Sequence, residues 1–108
     1  LWATNIPKCW GRVTVYNAGA ATLVDGCNIS AVVVSGDDLL ITLASGLDNG
    51  NYTVIPTVHG TNGNVASPNL VASTQFSIRL FNVGLGTQLV LSSGNPRVIS
   101  FLVFGRQT

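Results

Sequence analysis

The sequence holds few residues that could carry out acid–base or nucleophilic chemistry. Its single histidine, His59, lies beside Gly60 at the end of a predicted strand. A hydrolytic triad needs a nucleophile, a histidine and a carboxylate, which can come from any part of a chain. However, no Gly-x-Ser-x-Gly elbow is present. The adjacent pair Asp37 and Asp38 is predicted to cap a turn, because neighbouring turn residues point apart. We therefore expect no catalytic residues, and we expect His59 at a loop edge.

The two cysteines are the only residues with redox chemistry. Cys9 and Cys27 each stand at the start of a predicted strand. Antiparallel strands have their starts at opposite ends, which disfavours the Cα separation below about 7 Å that a disulfide needs. We expect two free, buried thiols rather than one disulfide, as in a protein folded in a reducing cytoplasm. Two cysteines and a distant histidine fall short of a zinc site, so no metal and no other cofactor is expected.

The periodicity that must position these residues is that of β-strands. Alternating or β-branched runs predict strands over 10–16, 28–34, 39–43, 52–58, 75–81 and 97–104. The turn at 35–38 should join the second and third runs as a hairpin. Pro56 should lie on an edge strand or at a bulge. Six short strands predict an all-β, antiparallel β-sandwich of jelly-roll-like type. It should occupy residues 9–108, after a linker at 1–8 that comes from a longer chain.

The segments between these strands supply the candidate recognition residues. Residues 60–73 are polar and include Pro68, so they predict a long exposed loop, which is often functional. A short extra strand is possible at 88–91, and the nearest candidate for a helix is 18–24. Sugar sites combine an aromatic ring with amide donors and acceptors. The predicted contact residues for a neutral or mildly anionic sugar are His59, Asn62, Asn64, Asn69 and Tyr52.

Charge is scarce in this chain of 108 residues. Only 8% of the residues are charged, against roughly 25% in a typical soluble domain, while 46% are hydrophobic and the net charge is +1. These values exclude an acidic disordered segment, a polybasic nucleic-acid binder and a charge-laced coiled coil. No apolar run approaches the roughly 18 residues of a membrane span.

A surface with so few charges is expected to be covered by partners. A chain of this mass should expose about 5,700 Å², and nine charged side chains give thin cover for that area. We therefore expect a subunit of a larger assembly, covered by copies or by other partners. Aromatic residues on the strands are expected in the core or between copies. The predicted interface residues are Trp10, Arg12, Phe101 and Phe104.

Several segments together resemble a known family. They are CWGRVTV at 9–15, DGCNIS at 25–30, LASGL at 43–47, NYTV at 51–54 and FLVFGRQ at 101–107. In this order they resemble the C-terminal β-domain of the tail-fibre proteins of tailed bacteriophages and prophages. The resemblance spans residues 9–107. Cys27 departs from the family pattern.

The resemblance implies a role at the distal tail fibre of a virion, assembled in the host cytoplasm. It implies a non-catalytic homotrimer that binds a cell-surface polysaccharide, lipopolysaccharide or outer-membrane protein, without nucleic-acid binding or membrane insertion. Two alternatives remain. One is a purely structural trimerisation or capsid-decoration domain. The other is a monomeric carbohydrate-binding module of a secreted enzyme, which predicts a Cys9–Cys27 disulfide and a planar aromatic strip.

Overall fold

The computed structural model describes residues 7–15, 20–35, 38–59, 64–82, 87–88 and 97–107. Within these ranges the chain forms nine strands and no helix. The strands are β1 (Cys9–Val15), β2 (Ala21–Cys27), β3 (Ile29–Ser35), β4 (Asp38–Leu43), β5 (Leu47–His59), β6 (Asn64–Val71), β7 (Gln75–Asn82), β8 (Thr87–Gln88) and β9 (Arg97–Gln107).

The strands form two antiparallel sheets. Sheet A has the order β2-β1-β9-β5, and sheet B has the order β3-β4-β7-β6, with β8 paired to the end of β7. Every strand pair is antiparallel. The predicted all-β antiparallel sandwich is therefore confirmed. The β3–β4 hairpin is confirmed as well, and Pro56 lies on β5, an edge strand of sheet A.

The core lies between the sheets, and strand alternation explains it. Along β7 the side chains of Phe76, Ile78 and Leu80 are all fully buried, because alternate residues of a strand face the same way. The Phe76 and Phe101 rings meet edge to face across the two sheets, with centroids 5.3 Å apart. The other buried core residues are Cys9, Val13, Val15, Leu39, Ile41, Leu43, Leu47, Val54, Ile99 and Val103.

Gly11 sets how closely β1 packs on this core. A Cβ atom at this position would lie 2.6 Å from Ile29 Cδ1 and 2.7 Å from Phe101 Cζ. A glycine here therefore lets the Phe101 ring and the Ile29 side chain press directly on the backbone of β1. Since Gly11 faces inward, its neighbours Trp10 and Arg12 face outward.

Asn28 connects the two sheets between β2 and β3. Its φ is 61°, a left-handed conformation that asparagine tolerates better than most residues. Its Nδ2 donates to the carbonyls of Lys8 and Ser45, each at 3.1 Å, and its Oδ1 accepts from Ser45 N at 2.7 Å. The side chain thereby joins the residue before β1 to the β4–β5 turn.

One expectation about secondary structure is wrong. Residues 64–71 are not loop but strand β6, paired with β7 through Val65↔Phe81 and Ser67↔Arg79. An edge strand tolerates polar residues and Pro68, because one side of its backbone needs no ladder partner. The segment nearest to a helix, 18–24, is strand β2 from Ala21 onward, where it pairs with β1. The chain therefore has more strands than the six predicted.

Both cysteines are free, as predicted, but only Cys9 is buried. Cys27 ends β2 instead of starting a strand, and its register partner on β1 is Trp10. Cys9 therefore faces the core while Cys27 faces outward. Burial, with a smaller contribution from nearby Cys27, raises the pKa of Cys9 to about 12. This thiol stays protonated and unreactive at neutral pH.

Candidate functional site

The outer face of sheet A carries an exposed apolar row. Trp10, Leu102 and Ile55 stand side by side on β1, β9 and β5, as the Trp10↔Leu102 and Ile55↔Leu102 registers show. Their exposed fractions are 39%, 42% and 49%. Neighbouring strands are about 4.8 Å apart, so the row is about 10 Å long. It presents an apolar strip one side chain wide to solvent.

A polar row runs beside the apolar one. Arg12 and Thr57 flank Ser100 in register on the same three strands. Two residues beyond Thr57 on β5, His59 pairs with Val98 of β9. The Nε2 of His59 hydrogen bonds to Ser100 Oγ at 2.9 Å. Two rows of different chemistry thus lie next to each other on one face.

Together these rows form a shallow groove of about 370 Å³, which we call the sheet A groove. It is lined by Trp10, Gly11, Arg12, Ile55, Thr57, Ser100, Phe101 and Leu102. An indole and aliphatic side chains can stack on the C–H face of a flat ligand, and the hydroxyl and guanidinium groups can hydrogen bond to its edge. The groove therefore suits a small amphipathic ligand such as a sugar.

The His59–Ser100 pair has the hydrogen bond of a base and a nucleophile. Catalysis of acyl transfer also needs a group that orients the histidine and donors for the oxyanion. Within the described ranges no carboxylate hydrogen bonds to His59, and its side chain is exposed on a flat sheet. Among the described residues the pair therefore lacks the third member of a catalytic triad.

The outer face of sheet B carries a second, more polar groove of about 330 Å³. At its centre Asp38 forms a two-pronged ion pair with Arg79, with Nε–Oδ1 at 2.8 Å and Nη2–Oδ2 at 3.2 Å. Asn69 Nδ2 also donates to Asp38 Oδ2 at 3.0 Å. Asp38 therefore joins β4 to β6 and β7, while the turn that Asp37 and Asp38 were predicted to cap lies at 36–37, outside the described residues. Because these polar groups satisfy one another, they are less available to a ligand.

Tyr52 holds the edge of the sandwich together. Its hydroxyl donates to the carbonyl of Ala72 and lies 3.0 Å from the carbonyl of Gln75. Burial raises the pKa of Tyr52, although the hydrogen bond to Ala72 acts in the opposite direction. Its ring also meets Phe76 edge to face at 6.3 Å. Its bonded hydroxyl therefore connects β5 to the β6–β7 turn.

The predicted contact residues are not brought together as one site. His59 lies beside the sheet A groove, while Asn69 lines the groove of sheet B and Tyr52 packs between strands. Asn64 begins β6, but its side chain and the whole of Asn62 lie outside the described part of the chain.

The predicted interface residues are divided between two faces. Trp10 and Arg12 lie on the same exposed face as His59, with β9 between them, and Phe104 is half-buried. Phe101 is only 2% exposed and packs in the core, so the prediction that its side chain faces a neighbouring copy is wrong. Leu102, which the sequence reasoning missed, takes the outward position. Leu102 is two residues from the polar Ser100 on the same strand, so strand alternation predicts that both face outward.

The described residues hold no group of three or more metal-ligating side chains. No helix in those ranges has the length and hydropathy to cross a membrane. Comparison with protein-family models, with curated proteins and with solved structures found no match to this chain.

Proposed function

We propose that this chain is a non-catalytic receptor-binding domain of a phage tail fibre, and that its sheet A groove binds a cell-surface carbohydrate. The observation that carries the proposal is the exposed Trp10–Leu102–Ile55 row with Arg12, Ser100 and Thr57 directly beside it. Sugars have an apolar C–H face and a polar rim, and these two rows complement both. The tail-fibre assignment is supported by the sequence resemblance over residues 9–107.

Assembly as a homotrimer belongs to the same proposal. A shallow groove gives a weak single site, and three sites on one rigid tip gain about 10²- to 10⁴-fold in avidity. Copies must then meet outside the groove. Val33 and Val65 on sheet B are about half exposed and could be covered by such contacts. On this proposal the domain acts at the distal end of the virion's tail fibre.

A second candidate function is supported by the same apolar row. Exposed Ile55, Leu102 and Trp10 could equally be covered by another copy of the chain. In that case the domain is a structural trimerisation or capsid-decoration module. The carbohydrate-binding module of a secreted enzyme is less well supported, because its predicted Cys9–Cys27 disulfide is absent.

Paired measurements of mass and binding separate these functions. Light scattering on the purified chain should give three times the chain mass of 11.2 kDa. Trp10→Ala should leave that mass unchanged and abolish binding to a cell-surface glycan array. The matched control Val71→Ala, an exposed apolar change on the other sheet, should leave glycan binding unchanged.

The opposite results identify the alternatives. If Trp10→Ala splits the oligomer, the row is an interface between copies and the structural function is favoured. If glycan binding survives Trp10→Ala with full affinity, the sheet A groove is not the binding site.

A further inference from the structure

Arg12 is the only charged residue among the described residues that line the sheet A groove. Its side chain is exposed. The groove's other polar side chains, Ser100 and Thr57, are neutral hydroxyls. A ligand seated across the apolar row would therefore meet one positive charge at the polar edge of the groove.

This guanidinium forms no ion pair with any residue in the described part of the chain. Asp25 is the register partner of Arg12 on β2, but its Oδ1 accepts a hydrogen bond from Gly26 N at 2.9 Å. Asp25 also lies on the side of β1 away from β9 and β5, and it does not line the groove. A ligand in the groove therefore reaches Arg12 from the side opposite to Asp25.

The charge of the ligand then decides the energetics of binding. A neutral sugar over the row would shield Arg12 from water without offering a counter-charge, which is unfavourable. A carboxylate would accept two parallel N–H bonds from the planar guanidinium. The hydroxyls of Ser100 and Thr57 would remain for the ring substituents, and the indole of Trp10 for the ring face.

We infer that the sheet A groove selects an acidic saccharide, in which a carboxylate pairs with Arg12 while the sugar ring lies on the Trp10–Leu102–Ile55 row. This inference rests on the proposed carbohydrate-binding function and names the ligand class of the same groove. A uronic-acid unit in a surface polysaccharide has this chemistry.

The test uses uronic-acid oligosaccharides beside their carboxyl-reduced, neutral counterparts. Galacturonic, glucuronic and mannuronic oligomers are titrated into the full chain by calorimetry. At least one acidic series should bind, and its reduced counterpart should bind about 10- to 100-fold more weakly, the range of a charge-assisted hydrogen-bond pair. Affinity for the acidic series should also fall between about 0.05 and 0.5 M salt, because salt screens an exposed ion pair.

Variants at Arg12 identify the group responsible. Arg12→Gln should lower affinity for the acidic series to that of the neutral series and remove the salt dependence. Arg12→Lys should retain part of the affinity, because it keeps the charge but loses the planar fork. Arg12 is exposed in the fold, and an unchanged urea midpoint confirms that each variant is folded.

The outcomes distinguish failure of this inference from failure of the proposed carbohydrate-binding function. Equal binding of acidic and neutral series, with loss of both in Trp10→Ala, overturns the acidic ligand and keeps the carbohydrate site. Acidic binding that Arg12→Gln leaves intact also overturns the inference. Failure of every acidic and neutral oligosaccharide, together with a negative glycan array, overturns both.

Discussion

Asn28 offers the sharpest test of how the two sheets are joined. It is left-handed, with a φ of 61°, and its side chain makes three hydrogen bonds to the backbone of Lys8 and Ser45. Replacing it by alanine removes all three bonds and places a Cβ-bearing residue without local hydrogen bonding in a strained conformation. Glycine removes the same bonds but relieves the strain.

The expected losses follow from these contributions. Partly exposed hydrogen bonds contribute about 0.5–1 kcal/mol each, so the three account for about 1.5–3 kcal/mol. The left-handed conformation costs alanine a further 1–2 kcal/mol or so, which gives a loss of about 2.5–5 kcal/mol for Asn28→Ala. Glycine avoids the strain but loses about 0.5–1 kcal/mol through its flexibility in the unfolded chain. Asn28→Gly should therefore be the milder change, by about 0.5–1 kcal/mol.

Urea unfolding followed by tryptophan fluorescence measures these differences. At about 4 °C per kcal/mol for a domain of this size, Asn28→Ala should lower Tm by about 10–20 °C. Asn69→Ala is the matched control. It removes one exposed side-chain hydrogen bond, to Asp38, and should cost no more than about 1 kcal/mol. If Asn28→Ala proves no more destabilising than Asn69→Ala, the proposed role of Asn28 in joining the sheets is refuted.

Four further predictions concern the packing of the core and its edge. Gly11→Ala should lower the free energy of unfolding by about 1–3 kcal/mol through overpacking. The control Gly46→Ala, whose added Cβ would lie 3.2 Å from its nearest heavy atom, should cost less than about 1 kcal/mol. Equal losses in urea unfolding would contradict the packing described for β1. In native protein a thiol reagent at about pH 8 should modify Cys27 alone, and a second fast-reacting thiol would contradict the burial of Cys9. The pKa of Cys9 is about 12 in the folded state, against 9.0 for a free thiol. Its contribution to stability is therefore fully present below pH 9 and is lost as the pH rises toward 12. In alkaline unfolding curves, Cys9→Ala should reduce this loss of stability with rising pH. Tyr52→Phe leaves the carbonyl of Ala72 without its hydroxyl donor and should cost about 1–2 kcal/mol, and an unchanged urea midpoint would contradict this.

Strand alternation made much of the sandwich predictable from sequence. Where polar and apolar residues alternate, as in β7, one face must be buried, and both the strand and its inward residues follow. The same pattern does not resolve β9, because 98–104 is apolar at nearly every position. Phe101 was predicted at the interface between copies, although its side chain points into the core with those of Ile99 and Val103, two residues away on either side.

The sheet A groove could not be predicted from the sequence, for a different reason. Trp10, Ile55 and Leu102 are far apart in the chain, and only the strand order β1-β9-β5 makes them neighbours. Strand order depends on pairing between distant segments, about which local periodicity carries no information. Strand β6 was missed because its polar sequence follows the pattern of a loop, and its pairing with β7 makes it a strand.

The position of β9 has a consequence for biosynthesis. This strand lies between β1 and β5, so until residues 97–107 have left the ribosome β5 has no strand partner in sheet A and β1 is paired only with β2. A nascent chain that stops earlier exposes two unpaired strand edges, which favour aggregation. Sheet A must therefore close after these residues are synthesised, and premature termination before residue 97 should yield insoluble product.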